Sequence, residues 1–163
     1  MPGPVPRRHG EPMGIIEFEL QKVVNAPADQ VFTRLADING HNDWMPAKGS
    51  IRKHSEQTSP GAPGPGTTYV DQTKMGEAPG EIEVFEPSRR LVYHWWDQGR
   101  GGRLKYEGWP AYTLEEQADG TTLVRHDARI QTYGIYNLAV PMFRVMAKKE
   151  RTVTLGALAA SFD

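Results

Sequence analysis

The 163-residue sequence contains no cysteine. That excludes disulfide cross-links, thiolate nucleophiles and cysteine-ligated zinc, and it fits a reducing compartment. An excess of either charge is also missing, since 19 Lys plus Arg stand against 20 Asp plus Glu. No global field favours nucleic acid or an anionic membrane. No run approaches the ~18 consecutive apolar residues that a membrane span needs. Residues 1–9, Met-Pro-Gly-Pro-Val-Pro-Arg-Arg-His, hold no apolar segment and do not read as a secretory signal. Together these absences predict a cytoplasmic protein with no nucleic-acid partner and no integral membrane contact. Motifs are missing too. Gly99-Arg-Gly-Gly102 lacks the Gly-Lys-Ser/Thr of a phosphate loop, and neither His-Glu-x-x-His nor Gly-x-Ser-x-Gly occurs. His41 and His54 have no recognisable ligand partners, so neither a metal nor a cofactor is implied.

What is present is an ordinary globular balance, 38% apolar and 24% charged, at a length that suits one domain with room for a core and a cavity. Four prolines within residues 1–12 predict a disordered tail over 1–13, leaving 14–163 as the folded unit. Residues 15–24 alternate apolar and polar as a half-buried strand. Asn25-Ala-Pro27 then ends it and opens a helix with Val31, Phe32 and Leu35 on one face. A second short helix is expected across Ile38 to Trp44, stopped by Met45-Pro46. Strands are expected at 48–57 (weakly), 67–75, 81–86, 91–96, 109–116 and 121–131. Gly76–Gly80 reads as a turn, 98–105 as a loop, and Ala118-Asp119-Gly120 as a hairpin turn. Leu138, Met142, Val145, Met146 and Val153 then recur at helical spacing in one long helix ending near Phe162, with Pro141 a kink or a first-turn residue. Strand, two short helices, six strands and a long helix argue for an α+β fold with an antiparallel sheet.

That order resembles the helix-grip superfamily of START domains, plant pathogenesis-related allergens and bacterial polyketide cyclase/dehydrase-like proteins, together called SRPBCC. Local sequence carries the resemblance. Val24-Asn-Ala-Pro27 with Val31-Phe32 is similar to the family's strand-to-helix passage, and Leu35-Ala-Asp37 with Trp44-Met-Pro46 to its second-helix segment. Gly80-Glu-Ile-Glu-Val-Phe-Glu-Pro87-Ser-Arg-Arg-Leu91-Val-Tyr is similar to the central hairpin of many bacterial members, and Gly120-Thr-Thr-Leu-Val precedes the long helix as in the family. The resemblance spans about residues 15–162 and implies a seven-stranded antiparallel sheet wrapped around a C-terminal helix, with a deep apolar cavity between them. It implies no single reaction, because such folds serve carriers, cyclases, receptors and co-chaperones alike.

Candidate site residues follow from strand parity. In 121–131, Val124, His126, Ala128 and Ile130 share the more apolar face, which puts His126 inside, where a neutral imidazole suits a ligand carbonyl or general-base work. The bland counterpart is a core histidine bonded to a backbone carbonyl. Tyr112 with Leu114, or Trp109 with Thr113, faces inward on the neighbouring strand; Tyr93 with Trp95 competes in the same way with His94 and Trp96. Parity does not choose between these pairs. Tyr69, Asp71 and Thr73 share a face, and an inward Asp71 near His126 would form an acid/base pair, against the plainer reading of an exposed or cross-strand-paired carboxylate. Ile135, Met142, Met146, Val153 and Ala157 fall near one azimuth of the terminal helix and are expected as a second cavity wall or as ordinary core. Arg144, Lys148, Lys149 and Arg151 read as a solvated face; Glu150 interrupts them and weakens a membrane-docking reading.

Three functions follow as expectations. The first is binding of a hydrophobic, aromatic, polyketide- or lipid-like small molecule by Tyr69, Trp95, Trp109, Met142 and Met146, with Tyr112 and His126 as polar contacts. The second is cyclisation or dehydration of a poly-β-keto chain, with His126, Tyr112 and Asp71 as acid/base groups. The third is a co-chaperone-like interaction role, which predicts a large exposed apolar patch over a collapsed cavity.

Overall fold

The computed structural model describes residues 14–163; the tail expected over residues 1–13 lies outside the described residues. The chain forms β1 (Gly14–Val24), α1 (Ala28–Ala36), α2 (His41–Trp44), β2 (Arg52–Gln57), β3 (Thr68–Thr73), β4 (Gly76–Glu86), β5 (Arg90–Gln98), β6 (Leu104–Glu116), β7 (Thr122–Thr132) and α3 (Val140–Ala160). Single 3-10 turns at Arg100–Gly102 and Gly134–Ala139 precede β6 and α3. The seven strands make one sheet in the order β1-β7-β6-β5-β4-β3-β2, antiparallel throughout. β2 to β7 form a meander. β1 joins its far edge by pairing with β7 from Gly14–Thr132 to Val24–Thr122. Helices α1 and α2 therefore carry the chain from one edge of the sheet to the other. The helix-grip architecture expected from the sequence is the one observed. No helix among the described residues is long and apolar enough to cross a membrane.

Pro27 starts α1 in an extended conformation, and Ala28, Val31, Phe32, Leu35 and Ala36 are buried against the sheet. Proline has no side chain that can cap a helix. The cap comes from across the fold instead: the Ala28 N–H donates to Glu116 Oε1 on β6 at 2.8 Å. At the other end the Leu35 carbonyl, an orphan of the last turn, accepts from Tyr93 OH at 2.6 Å and from His41 Nε2 at 2.8 Å. The core unites Val24, Phe32, Leu35, Ile82, Leu91, Leu114, Val124 and Leu158. In α3 the buried residues are Thr154, Leu155, Leu158 and Ala159, all in its last two turns. The first half of the helix stands off the sheet, and the space below it stays open. Pro141 sits in the first turn rather than at a kink.

Two sequence expectations are corrected by the same physical cause. Gly76–Gly80, expected as a turn, is the first part of β4, and β6 begins at Leu104 rather than Trp109. Gly80 and Gly108 look like loop residues but hold strand positions under aromatic rings. A Cβ on Gly80 would lie 2.5 Å from the Tyr69 ring, and one on Gly108 would lie 2.5 Å from the Trp95 ring. Gly80 and Gly108 are the two cross-strand partners of Trp95. Glycine is there for close approach of a ring to backbone, not for a bend. The actual reversal between β3 and β4 is at Lys74–Met75, closed by Gly76 at φ +111°.

The long-range helix cap gives a stability test. Glu116→Ala should destabilise the fold by about 1 kcal/mol, the scale of a lost N-cap, and Glu116→Gln by less, because its amide oxygen still accepts. Urea unfolding of the two variants checks this; equal stability of Glu116→Ala and the parent would remove the cap from the account.

Candidate ligand-binding cavity

A cavity of about 210 Å³ lies between the inner face of the sheet and the first half of α3. Its aromatic wall comes from alternate positions of three strands: Tyr69 on β3, Tyr93 and Trp95 on β5, and Tyr106 and Tyr112 on β6. Tyr69 and Tyr93 meet edge to face with centroids 5.4 Å apart, and Trp95 meets Tyr106 likewise at 6.1 Å. These T-shaped contacts lock ring orientations, and Gly80 and Gly108 leave Tyr69 and Trp95 room against the sheet. The β5–β6 pairing steps from Val92–Ala111 to Trp95–Gly108, passing Pro110, which has no N–H to offer and lines the cavity. From α3, Phe143, Met146, Ala147, Glu150, Arg151 and Thr154 form the opposite wall.

One end of the cavity is polar. Asp71 Oδ1 accepts from Ser55 Oγ at 2.6 Å. Arg52 Nη1 donates to Ser55 Oγ at 3.2 Å and to Asn42 Oδ1 at 3.0 Å. Glu150, on α3, accepts from Ser50 Oγ at 2.5 Å and from the Ile51 N–H at 3.0 Å, which ties the helix to the segment before β2. Arg151 Nη2 reaches Tyr112 OH only at 3.4 Å. The Nε atoms of both Arg52 and Arg151 are buried without a hydrogen-bond partner. Burial pushes the Asp71 carboxyl above the ordinary carboxylate range, against the Ser55 hydrogen bond and the charges of Arg52 and Arg151, which pull it down. Burial likewise raises Tyr69 and Tyr93 well above the ordinary phenol value. Burial lowers the Arg52 guanidinium from its ordinary value.

The structure places Tyr69, Asp71, Trp95, Tyr112 and Met146 on this cavity, so the pairs that parity left open are Tyr93 with Trp95 and Tyr112 with Leu114. His126 is on the inner face but fully buried, stacked beneath Tyr112 with ring centroids 4.3 Å apart and 9° between planes. Its Nδ1 donates to the Ala111 carbonyl at 2.9 Å, the bland alternative of the sequence reading. A carbonyl only accepts, so the proton is on Nδ1, and Nε2 is a buried acceptor with no partner. Asp71 is bonded to its cross-strand neighbour Ser55, the plainer of its two readings, and His126 to Ala111, so no Asp71–His126 pair is formed. Trp109 borders the cavity, but its indole stacks flat on His94 at 4.7 Å, on the opposite face of the sheet. There His94 Nε2 meets Glu107 Oε1 at 2.7 Å, and Tyr133 OH donates to Glu107 Oε2 at 2.5 Å.

The expected wall of α3 is corrected in the same way. Met142 is 56% exposed and off the cavity, and Ile135 lies in the 3-10 turn facing solvent. Arg151, expected on a solvated face, is instead a cavity residue. The stripe of Met142 and Val145 points outward, and the side that carries Glu150 and Arg151 with Phe143 and Ala147 points inward, where Glu150 and Arg151 have hydrogen-bond partners; the Thr154 hydroxyl bonds back to the Glu150 carbonyl of its own helix. Arg52, Arg151, Glu150, His41 and Tyr106 were missed as site residues. The one available signal was the 3–4 spacing of Glu150, Arg151 and Thr154, which breaks the apolar pattern of a helix that must face a core.

Two cavity-side histidines give a pH signature. Burial is the main cause in both cases; it lowers His126 to about 3, helped by the Arg151 charge, and His41 to about 4, opposed by its bond to Leu35. In the unfolded chain both titrate near 6.5. Between the two values the unfolded state binds more protons, so stability is unaffected by these groups above pH 6.5 and falls as pH drops below it. At pH 5 the loss should be roughly 2 kcal/mol for each histidine. Urea unfolding between about pH 7.5 and 5 should show this decline, flatter in His126→Gln, and the ring proton resonances of His41 and His126 in the folded chain should not titrate over that range. A pH-independent unfolding free energy would contradict the burial argument.

A family model described as "Polyketide cyclase / dehydrase and lipid transport" matches residues 16–163. Among curated proteins, none matches the sequence significantly. Several solved structures share the fold. The Zhui aromatase/cyclase of a Streptomyces species superposes with a TM-score of 0.70 at 14% identity, over 90% of this chain and 93% of that one. A START superfamily protein from Mycobacterium smegmatis gives 0.67 at 12% identity, over 90% and 96%. A hypothetical protein from Helicobacter pylori gives 0.70 at 14%, over 92% and 88%. At these identities the likeness concerns the fold alone.

Proposed function

This chain belongs to the polyketide cyclase/dehydrase and lipid transport family, and on that footing we propose that it binds a hydrophobic small molecule with an oxygen-bearing head in the cavity beneath α3. The observation that carries the reading is an aromatic-walled cavity whose polar end holds Arg151 with most of its donors unused. A guanidinium has five N–H donors. Leaving one buried without a partner costs about 1–3 kcal/mol, which a ligand carbonyl or carboxylate would recover. The rings of Tyr69, Trp95 and Tyr106 supply the apolar contact, and Phe143 and Met146 close the other side. Trp95 makes the site observable by fluorescence.

Titration with quinones, aromatic polyketides and fatty acids should quench tryptophan fluorescence and raise the melting temperature. The quench should be reduced in Trp95→Phe and lost when Trp109, which also borders the cavity, is replaced as well. Arg151→Met should weaken binding by about 10–100-fold, the range of one hydrogen bond to a charged group. If no member of the panel shifts either readout, the cavity is not a binding site for this chemistry.

A second reading is favoured by one feature, the carboxyl of Asp71, which burial holds above its ordinary range at the cavity wall. Such a group suits proton transfer in the cyclisation or dehydration of a poly-β-keto chain, with Tyr112 and Arg151 facing the developing enolate oxygen. His126 would then act as a positioning residue, holding the Tyr112 ring from behind. Asp71→Asn and Tyr112→Phe should change the product distribution of a reconstituted synthase; unchanged products from both would end the enzymatic reading.

A further inference from the structure

The outward side of the segment leading into α3 is apolar to a degree that packing does not explain. Ile135 is 76% exposed, Leu138 87%, Met142 56% and Val145 70%. Their spacing of three, four and three residues puts them on one stripe. Met146, beside them, is exposed on this stripe and also lines the cavity. The stripe thus runs to the cavity mouth, where Met75 of the β3–β4 turn is a further exposed apolar residue among the lining side chains. A contiguous patch of this kind on a folded chain marks an interaction surface.

The exposed charges that α3 carries on this half have one sign. Arg144, Lys148 and Lys149 are exposed on the same half of the helix, with Lys149 prolonging the stripe, Lys148 beside it and Arg144 further round on the side of Lys148. The acid that interrupts this run in the sequence, Glu150, does not offset them at the surface. Both of its oxygens are turned inward onto Ser50 and Ile51. Self-association through this face would set the cations of two copies against one another. An anionic surface neutralises them instead, while long Lys and Arg side chains reach the headgroup level and let the stripe sink below it.

We propose that the outward face of Gly134–Lys149 docks on an anionic lipid bilayer and presents the cavity mouth to it. Docking needs only the stripe and its cations, so it stands apart from whether the cavity holds a ligand. Where the cavity does bind a hydrophobic guest, the guest passes between bilayer and cavity without crossing bulk water.

The test is co-sedimentation of the full chain with phosphatidylcholine vesicles and with vesicles containing phosphatidylglycerol as well. The chain should pellet with the second kind and not the first, and added salt should release it. Lys148→Gln and Lys149→Gln should each weaken the partition by about fivefold. Leu138→Glu with Val145→Glu should abolish it while leaving circular dichroism and the melting temperature unchanged, because both positions face solvent. Retention on neither vesicle, equal retention on both, or a double glutamate variant that still pellets would overturn the proposal. So would a dimer in light scattering that the same double variant dissolves, since the stripe would then belong to a second copy.

Discussion

Thr154, Leu155, Leu158 and Ala159 are the buried contacts of α3, and they lie in its last two turns. A long helix fastened at one end is the constraint on which the rest depends. Had the first half packed as tightly, the sheet would enclose a core and nothing else. Because it does not, Phe143, Ala147 and Arg151 look across open space toward Tyr69, Trp95 and Tyr112. Leu138, Met142 and Val145 point outward instead. The helix is kept at its distance by polar links rather than by packing: Glu150 to Ser50 and Ile51, and Arg151 to the Tyr112 hydroxyl.

The cavity and the outer stripe are two results of that one arrangement. Buried charge is tolerated only where hydrogen bonds replace water. Glu150 meets that condition fully. Arg52 and Arg151 meet it in part, each with a buried Nε that has no partner. Both guanidinium groups belong to side chains that line the polar end of the cavity. The exposed Met, Val, Leu and Ile side chains make the outside receptive to an apolar phase. The interaction role considered from the sequence joined an apolar patch to a collapsed cavity; here the patch accompanies an open one.

Much of the fold was legible. Alternation marked β1 and β7, the Asp119-Gly120 signal marked their neighbouring hairpin, and helical spacing marked α1 and α3. The errors have a common source. Gly80 was read for what glycine permits in its own backbone, and the strand of Gly108 was begun too late, whereas both glycines are required by rings that belong to other strands. Residue type singled out Tyr69, Asp71, Trp95, Tyr112 and Met146, which line the cavity, but parity alone left the inward pairs of β5 and β6 open. Parity gives a face but not a depth: His126 is on the expected inner face but covered by Tyr112, and Trp109 borders the cavity while its ring stacks on His94.

By itself the sequence determined the order of elements, the α+β class and the sets of side chains that share a face, because these follow from local periods of two and 3.6 residues. Only the tertiary structure decided which face of β5 and β6 turned inward, and which azimuth of α3. That choice is a competition between burying methionine and leucine and satisfying Glu150 and Arg151. Their partners, Ser50, Ile51 and Tyr112, lie from 39 to 100 residues away along the chain. No local pattern records contacts at that separation, so the helix that looked like a cavity wall from its apolar stripe became one through Phe143, Met146 and Ala147 together with Glu150 and Arg151.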